Sequence, residues 1–190
     1  MSDVKNILIV GVGGQGTILA SRILGAVAGR LAADVKVSEI HGMSQRGGSV
    51  VTQVRFGSRV FAPVIAKGAA DVIIAFEKLE ALRWAPWLKK GGLMVINEQE
   101  INPMPVVRGV ASYPEDIYGQ LAGQQVLSLP ATELARQAGT HKAANVVLLG
   151  VLARALNHDE SVWLEALEEQ VPQRFLSLNR EAFRLGYEYH

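Results

Sequence analysis

A glycine-rich turn between a predicted strand and a predicted helix is the feature that most constrains this chain. The apolar residues 7–10 run into a Gly-x-Gly-x-x-Gly pattern at Gly11, Gly13 and Gly16, and helical periodicity begins at Thr17. In this context the first glycine permits a sharp turn, the second leaves room for a ligand or another backbone, and the third permits close helix packing. Free N–H groups at a helix start favour an anion such as phosphate. The pattern fits a bound nucleotide and also fits tight packing alone.

Alternating strand and helix patterns predict an α/β fold. Residues 49–56 and 59–65 have strand patterns and would form a hairpin. The other predicted strands are 34–39, 70–76, 93–97, 106–110 and 125–129. Further helices are predicted at 15–33, 77–88, 113–121, 130–138 and 145–156. Asn157 and Glu160 are spaced to cap the next helix, and a last helix has an apolar face of Phe175, Leu178, Ala182 and Leu185. This order predicts a single domain over residues 1–190. It would be Rossmann-like and three-layered, with a mainly parallel sheet, one hairpin and a helical C-terminal third.

The composition limits the classes of function. Hydrophobic residues make up 49% of the 190 residues and charged residues 19%, so the chain can bury a substantial core and is not disordered. A net charge of +1 without a long basic run argues against nucleic acid as the main partner. The absence of cysteine excludes a disulfide, a cysteine nucleophile and a cysteine-ligated iron–sulfur cluster in this chain. Without an apolar stretch of transmembrane length, we expect a cytoplasmic location and no membrane partner.

A second polar, glycine-rich segment follows the predicted second strand, at residues 40–48. Gly47 and Gly48 permit unusual backbone angles, and Arg46 offers a rigid five-donor fork suited to carboxylate or phosphate. The segment follows the carboxyl end of a strand, where α/β sheets bind ligands. It could bind a ligand, dock a partner subunit, or do both.

Several single residues are candidates for particular chemistry. Glu39 lies near the place where dinucleotide-binding domains put a ribose-binding carboxylate, but it could instead anchor the loop through backbone N–H groups. His41, beside Ser44 and Gln45, is the histidine with a candidate function; a structural or interface role is the alternative. The histidine spacing predicts no metal site, and no catalytic residue is assigned. The candidate ligand- or interface-loop residues are Gly11, Gly13, Gly14, Gln15, Gly16, Thr17, Glu39, His41, Ser44, Gln45, Arg46, Gly47 and Gly48.

Two segments taken together resemble one protein family. They are residues 11–17, Gly-Val-Gly-Gly-Gln-Gly-Thr, and residues 38–50, Ser-Glu-Ile-His-Gly-Met-Ser-Gln-Arg-Gly-Gly-Ser-Val. The pair resembles the gamma-type subunit or domain of the 2-oxoacid:ferredoxin oxidoreductases. The His-Gly-Met-Ser-Gln-Arg-Gly-Gly part is most similar to the beta subunits of indolepyruvate ferredoxin oxidoreductases. The resemblance covers nearly the whole chain, and the C-terminal third is the less diagnostic part.

The resemblance implies a complex that oxidatively decarboxylates a 2-oxoacid, here indolepyruvate or another aryl pyruvate, to an acyl-coenzyme A and passes electrons to ferredoxin. Thiamine diphosphate, magnesium and iron–sulfur clusters would belong to a larger companion subunit, since this chain lacks cysteine and the Gly-Asp-Gly signature for thiamine diphosphate. Coenzyme A would be a co-substrate of the complex, and the isolated chain would be inactive. A free-standing dinucleotide-binding oxidoreductase and an architectural module without its own ligand are the alternatives.

The two loops would then face the companion subunit and shape the substrate or coenzyme A channel. Arg46 could hold an anionic group, while Gln15 and Glu39 could brace the loops by hydrogen bonds. The apolar helix 145–156 further suggests that the isolated chain forms a homodimer or higher oligomer. The contact would include residues of the 42–48 loop or of the C-terminal helices.

Overall fold

The computed structural model describes residues 4–41 and 48–189, without the side chain of His41. Its strands are β1 (Lys5–Val12), β2 (Asp34–His41), β3 (Ser49–Gly57), β4 (Ala70–Ala75), β5 (Leu88–Asn97) and β6 (Gln125–Leu129). Its helices are α1 (Thr17–Leu31), α2 (Lys78–Trp84), α3 (Met104–Val107), α4 (Ile117–Gln120), α5 (Ala131–Gln137), α6 (Ala144–Ala155), α7 (Glu160–Gln170) and α8 (Leu176–Tyr187). Short 3-10 turns lie at Ala85–Trp87, His141–Ala143 and Gln173–Phe175.

The strands form one six-stranded sheet in the order β2-β3-β1-β4-β5-β6. β3 runs antiparallel to β2 and β1, while β1–β4, β4–β5 and β5–β6 are parallel pairs. The predicted mainly parallel sheet with a helical C-terminal part is confirmed. The continuous apolar run of β1 follows from its place in the sheet, because a central strand covered on both faces needs apolar side chains on both.

Helices cover both faces of the sheet and create two cores. Ile7 and Ile9 pack with buried residues of α1, α5, α6, α7 and α8. Leu8 and Val10 pack on the opposite face with residues of α2 and α4. Among the described residues, no helix combines the length and the apolarity needed to cross a membrane.

The predicted hairpin between residues 49–56 and 59–65 is wrong. The second segment forms no strand, because β1 and β2 already occupy both edges of β3. Side chains of β3 hold it instead: Arg55 Nη1 donates to the carbonyl of Ala62 at 2.7 Å, and Gln53 Oε1 accepts from Ile65 N at 2.6 Å. The antiparallel neighbours of β3 are therefore strands from earlier in the chain.

The segment between β4 and β6 also differs from the prediction. The helix predicted over 77–88 ends at Trp84, because Pro86 forces a 3-10 turn and β5 already begins at Leu88. Residues 106–110, predicted as a strand, lie in α3 and a turn that Val110 N closes on the carbonyl of Pro105 at 2.9 Å. The helix predicted over 113–121 is shortened to α4, which Asp116 caps.

The predicted cap of α7 is replaced by a neighbouring one. Asn157 has a left-handed backbone with φ of 53° and follows the end of α6. Asp159 is the N-cap residue of α7, and its Oδ1 accepts from Ser161 N at 2.9 Å. A carboxylate two residues later thus performs the capping that the sequence pattern assigned to Asn157.

Two glycines set the packing of α6 against α8. A Cβ on Gly150 would lie 2.2 Å from the carbonyl oxygen of Phe183, and a Cβ on Gly186 would lie 1.9 Å from that of Val147. The buried face of α8 therefore includes Phe183 and Gly186, whereas the predicted Phe175 is exposed. Because α6 is buried by this packing, the chain itself covers that helix and no partner is needed for it.

His158 makes the stability of the fold sensitive to acid. Burial lowers the pKa of His158 below its ordinary value of 6.5, and the charge of Lys5 lowers it further. The unfolded chain therefore binds this proton more readily than the folded chain, so the stabilisation is complete above about pH 6.5 and declines as the pH falls toward the folded pKa.

We expect the melting temperature of the wild type to fall between about pH 7 and pH 5, and we expect His158→Gln to show a shallower decline. Differential scanning calorimetry across this range measures both slopes. His141→Gln, which alters an exposed histidine, is the control and should keep the wild-type slope. Equal slopes for wild type and His158→Gln would contradict this role of His158.

Candidate functional site

A cleft of about 410 Å³ opens at the carboxyl ends of β1, β4 and β5. Open α/β sheets bind ligands at this edge, where the strand order changes direction. The cleft lies between the glycine turn, the segment after β5 and the start of α6. Its lining residues are Gly14, Gln15, Gly16, Leu19, Phe76, Asn97, Gln99, Thr132, His141, Lys142, Ala144 and Asn145.

The turn from β1 into α1 requires glycine at two positions for different reasons. A Cβ on Gly11 would lie 2.9 Å from Gln15 Oε1 and 3.0 Å from the Cβ of Phe76, so this position has no room for a side chain. Gly16 adopts a left-handed backbone with φ of 83°, and a Cβ there would lie 2.8 Å from Asn145 Nδ2. Close approach explains the first glycine, and close approach together with backbone geometry explains the second.

Gln15 holds the turn against the neighbouring strand ends. Its Oε1 accepts from Val12 N at 2.7 Å, and its Nε2 donates to the carbonyl of Phe76 at 2.9 Å and to Gln99 Oε1 at 3.1 Å. The buried Asn97 donates to the same Phe76 carbonyl at 3.1 Å. The predicted bracing by Gln15 therefore runs to the ends of β4 and β5.

The charges around the cleft favour an anionic ligand. None of the described lining residues is an aspartate or a glutamate, while Lys142 is a basic residue. α1 and α6 both begin at this cleft without a side-chain cap and without an acidic residue in the first turn. Their N-terminal dipoles add to the positive potential.

An apolar groove of about 360 Å³ adjoins the cleft. The two share Leu19, Lys142 and Asn145 in their linings. The groove continues between the start of α6 and the turn before α8, where Phe175 is exposed. A ligand larger than the cleft would therefore meet an apolar surface beside Lys142.

A hydrogen bond between described residues joins the two predicted loops. Gly13 N donates to the carbonyl of Gly48 at 2.9 Å, which ties the glycine turn to the residue before β3. The candidates Gly14, Gln15 and Gly16 line the cleft, and Gly13 lies in the same turn, while Gly11 is in β1 and Thr17 is the first residue of α1.

Glu39 lies apart from the cleft. It is on β2, which β3 separates from β1, whereas ribose-binding carboxylates follow a strand next to the first. Two strand spacings amount to about 10 Å. Glu39 Oε1 instead accepts from Thr52 Oγ1 at 3.5 Å within the sheet. The candidates Ser44, Gln45, Arg46 and Gly47, and the side chain of His41, lie outside the described residues.

Sequence reasoning missed the far side of the cleft. Gln99 and Thr132 follow the ends of β5 and β6, and their sequence signal was only their position after predicted strands. His141 and Lys142 precede the apolar α6 and carry no spacing motif. Asn145 offered a clearer signal, since an amide near the start of a fully apolar helix requires a polar partner, and its Nδ2 donates to the carbonyl of Gly16 at 3.1 Å.

The residues present do not suit metal-centred redox chemistry. The chain has no cysteine, and the described residues contain no group of three or more histidine, aspartate or glutamate side chains that could hold a metal ion. An iron–sulfur cluster, which thiolates normally ligate, therefore does not fit this chain. The cleft is suited instead to binding and orienting an anion.

Comparison with known proteins agrees with the resemblance of the two loops. A family model described as pyruvate ferredoxin/flavodoxin oxidoreductase matches residues 6–189. The chain is 42% identical over 188 residues to indolepyruvate oxidoreductase subunit IorB of Thermococcus kodakarensis, which covers 95% of this chain and 93% of that protein.

Solved structures share the fold. The gamma subunit of a keto/oxoacid ferredoxin oxidoreductase from Geobacter sulfurreducens superposes with a TM-score of 0.71 at 24% identity, covering 97% of this chain and 96% of that one. The 2-oxoglutarate:ferredoxin oxidoreductase from Magnetococcus marinus, solved with 2-oxoglutarate, coenzyme A and succinyl-CoA, gives a TM-score of 0.70 at 22% identity. The match covers 98% of this chain but only 31% of that longer one. With a family match from residue 6 to residue 189, the chain belongs to the pyruvate ferredoxin/flavodoxin oxidoreductase family.

Proposed function

We propose that this chain is a non-self-sufficient subunit of a complex that oxidises indolepyruvate or another aryl pyruvate and passes the electrons to ferredoxin. The observation that carries the proposal is the 42% identity, across 95% of the chain, to a protein named as an indolepyruvate oxidoreductase subunit. The whole chain, residues 1–190, would act as one gamma-type domain located in the cytoplasm.

The redox chemistry in this proposal belongs to a larger companion subunit. That subunit would hold thiamine diphosphate, magnesium and iron–sulfur clusters, which would supply the decarboxylation chemistry and the electron path. The contribution of this chain would be the cleft, which would hold an anionic part of coenzyme A. The helix start at Gly16 and the cation of Lys142 would attract its phosphates, and Gln15 would keep the turn in shape.

Reconstitution with the companion subunit tests the proposal. We expect the two subunits to co-purify and to reduce ferredoxin in the presence of indolepyruvate and coenzyme A. Each subunit alone should give no turnover, because this chain lacks cysteine ligands for a cluster and, in this proposal, the companion depends on this chain for the coenzyme A cleft. A chain that fails to associate, or one that turns over a 2-oxoacid unaided, would refute the proposal.

The alternative of a free-standing dinucleotide-binding oxidoreductase has less support, because β3 separates Glu39 from the glycine turn. Calorimetric titration of the isolated chain with NAD(H), NADP(H) and FAD distinguishes the two functions. We expect no stoichiometric binding of these dinucleotides. Micromolar binding that a substitution at Gly16 abolishes would favour the alternative.

We also expect the isolated chain to form a homodimer or higher oligomer. Phe175 is exposed just before the C-terminal α8, and such a side chain tends to be buried against a copy when the natural partner is absent. Sedimentation at micromolar concentration, with and without the companion subunit, measures this. A monomer alone would contradict the expectation. A contact formed solely by residues 113–125 would contradict its location near the 42–48 loop or the C-terminal helices.

A further inference from the structure

The residues at the start of β3 contact the glycine turn on one side and α2 on the other. Gly48 accepts a hydrogen bond from Gly13 N at 2.9 Å through its carbonyl. The next residue, Ser49, donates from Oγ to Glu80 Oε2 at 2.5 Å. A short path of hydrogen bonds and one peptide link thus connects α2 with the turn that lines the cleft.

Glu80 is a buried carboxylate with defined partners. Its side chain is only 5% exposed, and its Oε1 accepts from Arg83 Nε at 3.0 Å. Its backbone N donates to Glu77 Oε2 at 2.9 Å. Because a buried carboxylate needs donors on both oxygens, Ser49 and Arg83 together fix the orientation of the Glu80 side chain.

Glu77 connects the start of α2 to the segment after β5. Its Oε1 accepts from Ile101 N at 3.1 Å and from the hydroxyl of Tyr113. The Tyr113 hydroxyl also accepts from Leu79 N at 3.1 Å. Burial and the hydrogen bond to Glu77 raise the pKa of Tyr113, so the phenol stays protonated and keeps donating. These hydrogen bonds therefore fix the first turn of α2, which carries Glu80.

The capping of α2 does not explain the observed orientation of the Glu80 side chain. Glu77 is the N-cap residue, and Glu80 is the third residue of α2, the position at which a capping box would turn a glutamate back toward the cap. The described contacts of the Glu80 carboxylate run instead to Ser49 and Arg83. The carboxylate therefore makes a tertiary contact toward the glycine turn.

We propose that Glu80 is a positioning residue for the glycine turn, acting through Ser49 and Gly48 on Gly13. The consequence for catalysis rests on the proposed function, in which that turn helps to hold coenzyme A. Loss of the Glu80–Ser49 contact would remove a side-chain anchor from the start of β3, which would stay paired with β1, and would weaken the Gly13–Gly48 bond and let the turn move. Binding of the anion would weaken, while the chemistry on the companion subunit would remain.

The experiment uses the assembled complex with Glu80→Gln, Ser49→Ala and Ser49→Thr. Glu181→Gln is the matched control, since Glu181 forms an i,i+3 pair with Arg184 on α8 as Glu80 does with Arg83 on α2. Residue-resolved hydrogen exchange reports the Gly13 amide, and steady-state kinetics report KM for coenzyme A and kcat. If Glu80→Gln fails to fold, Ser49→Ala still tests the loss of the Glu80–Ser49 hydrogen bond.

We expect Glu80→Gln and Ser49→Ala to accelerate exchange at Gly13 and to raise KM for coenzyme A, each by about tenfold, with kcat nearly unchanged. Ser49→Thr, which keeps the hydroxyl, and Glu181→Gln should match the wild type. Unchanged Gly13 exchange in Ser49→Ala would overturn the positioning role. Faster exchange with an unchanged KM would support that role and would contradict the coenzyme A function proposed for the turn.

Discussion

Replacing Gly186 with alanine is expected to destabilise the fold by roughly 3 kcal/mol or more, at the upper end of what overpacking produces. The added Cβ would lie 1.9 Å from the carbonyl oxygen of Val147. This oxygen is backbone within α6, so relief requires the two helices to move apart. Such movement would open the largest core, in which residues of α6 and α8 pack together with Trp163. Urea denaturation followed by circular dichroism measures the change.

The chain offers a matched control for this substitution. Gly29 is an exposed glycine in α1, and a Cβ there would meet no atom within 4 Å. Gly29→Ala is therefore expected to stabilise the fold by about 0.5–1 kcal/mol, because alanine is the better helix former. Gly150→Ala should resemble Gly186→Ala, since its Cβ would lie 2.2 Å from the carbonyl oxygen of Phe183. A Gly186→Ala protein as stable as Gly29→Ala would contradict this account of the α6–α8 contact.

Replacing Gly16 with alanine is expected to raise KM for coenzyme A in the assembled complex by at least about tenfold, which corresponds to about 1.4 kcal/mol of binding free energy. The left-handed backbone at φ of 83° disfavours alanine by about 1–2 kcal/mol. The Cβ would also lie 2.8 Å from Asn145 Nδ2 and push this side chain from its bond to the Gly16 carbonyl. Both effects distort the start of α1 where it meets the cleft. Steady-state kinetics at varied coenzyme A measure the change.

Gly68→Ala separates backbone strain from the effect on the cleft. Gly68 has φ of 71° and open space around a Cβ, and it does not line the cleft. The left-handed backbone should destabilise Gly68→Ala about as much as it destabilises Gly16→Ala, while the KM for coenzyme A should stay at the wild-type value. Lys142→Ala, at an exposed lining position, should raise the same KM without a backbone change. Normal assembly with an unchanged KM in both Gly16→Ala and Lys142→Ala would favour the architectural module without a ligand.

The sequence predicted those parts of the fold that depend on local patterns. The apolar residues 7–10 predict a strand buried on both faces, and β1 is such a strand. The glycine turn is equally local, because a sharp turn before a helix needs glycines at set positions. The run 145–156 predicted a helix, and α6 spans Ala144–Ala155 and is buried over most of its length.

The partners of each element depended on distant residues, and sequence periodicity does not report these. The pattern of residues 59–65 resembles a strand, but β1 and β2 fill both edges of β3 and leave no free edge for it. Glu39 has the sequence spacing of a ribose-binding residue, but the insertion of β3 moves it away from the turn. In each case the hydrogen-bonding groups of a strand were satisfied by a neighbour that local patterns do not identify.

The sequence by itself determined the family, through two loop segments. It also determined the buried central strand, the glycine turn and the absence of thiolate ligands. Only the tertiary structure decided which residues share the cleft. Asn145 lies 129 positions from Gly16 in the chain, yet its amide bonds that residue's carbonyl. The physical reason is that parallel strands align their carboxyl ends at one edge of the sheet, whatever their separation along the chain. The packing of α6 on this edge then places Lys142 and Asn145 opposite the glycine turn.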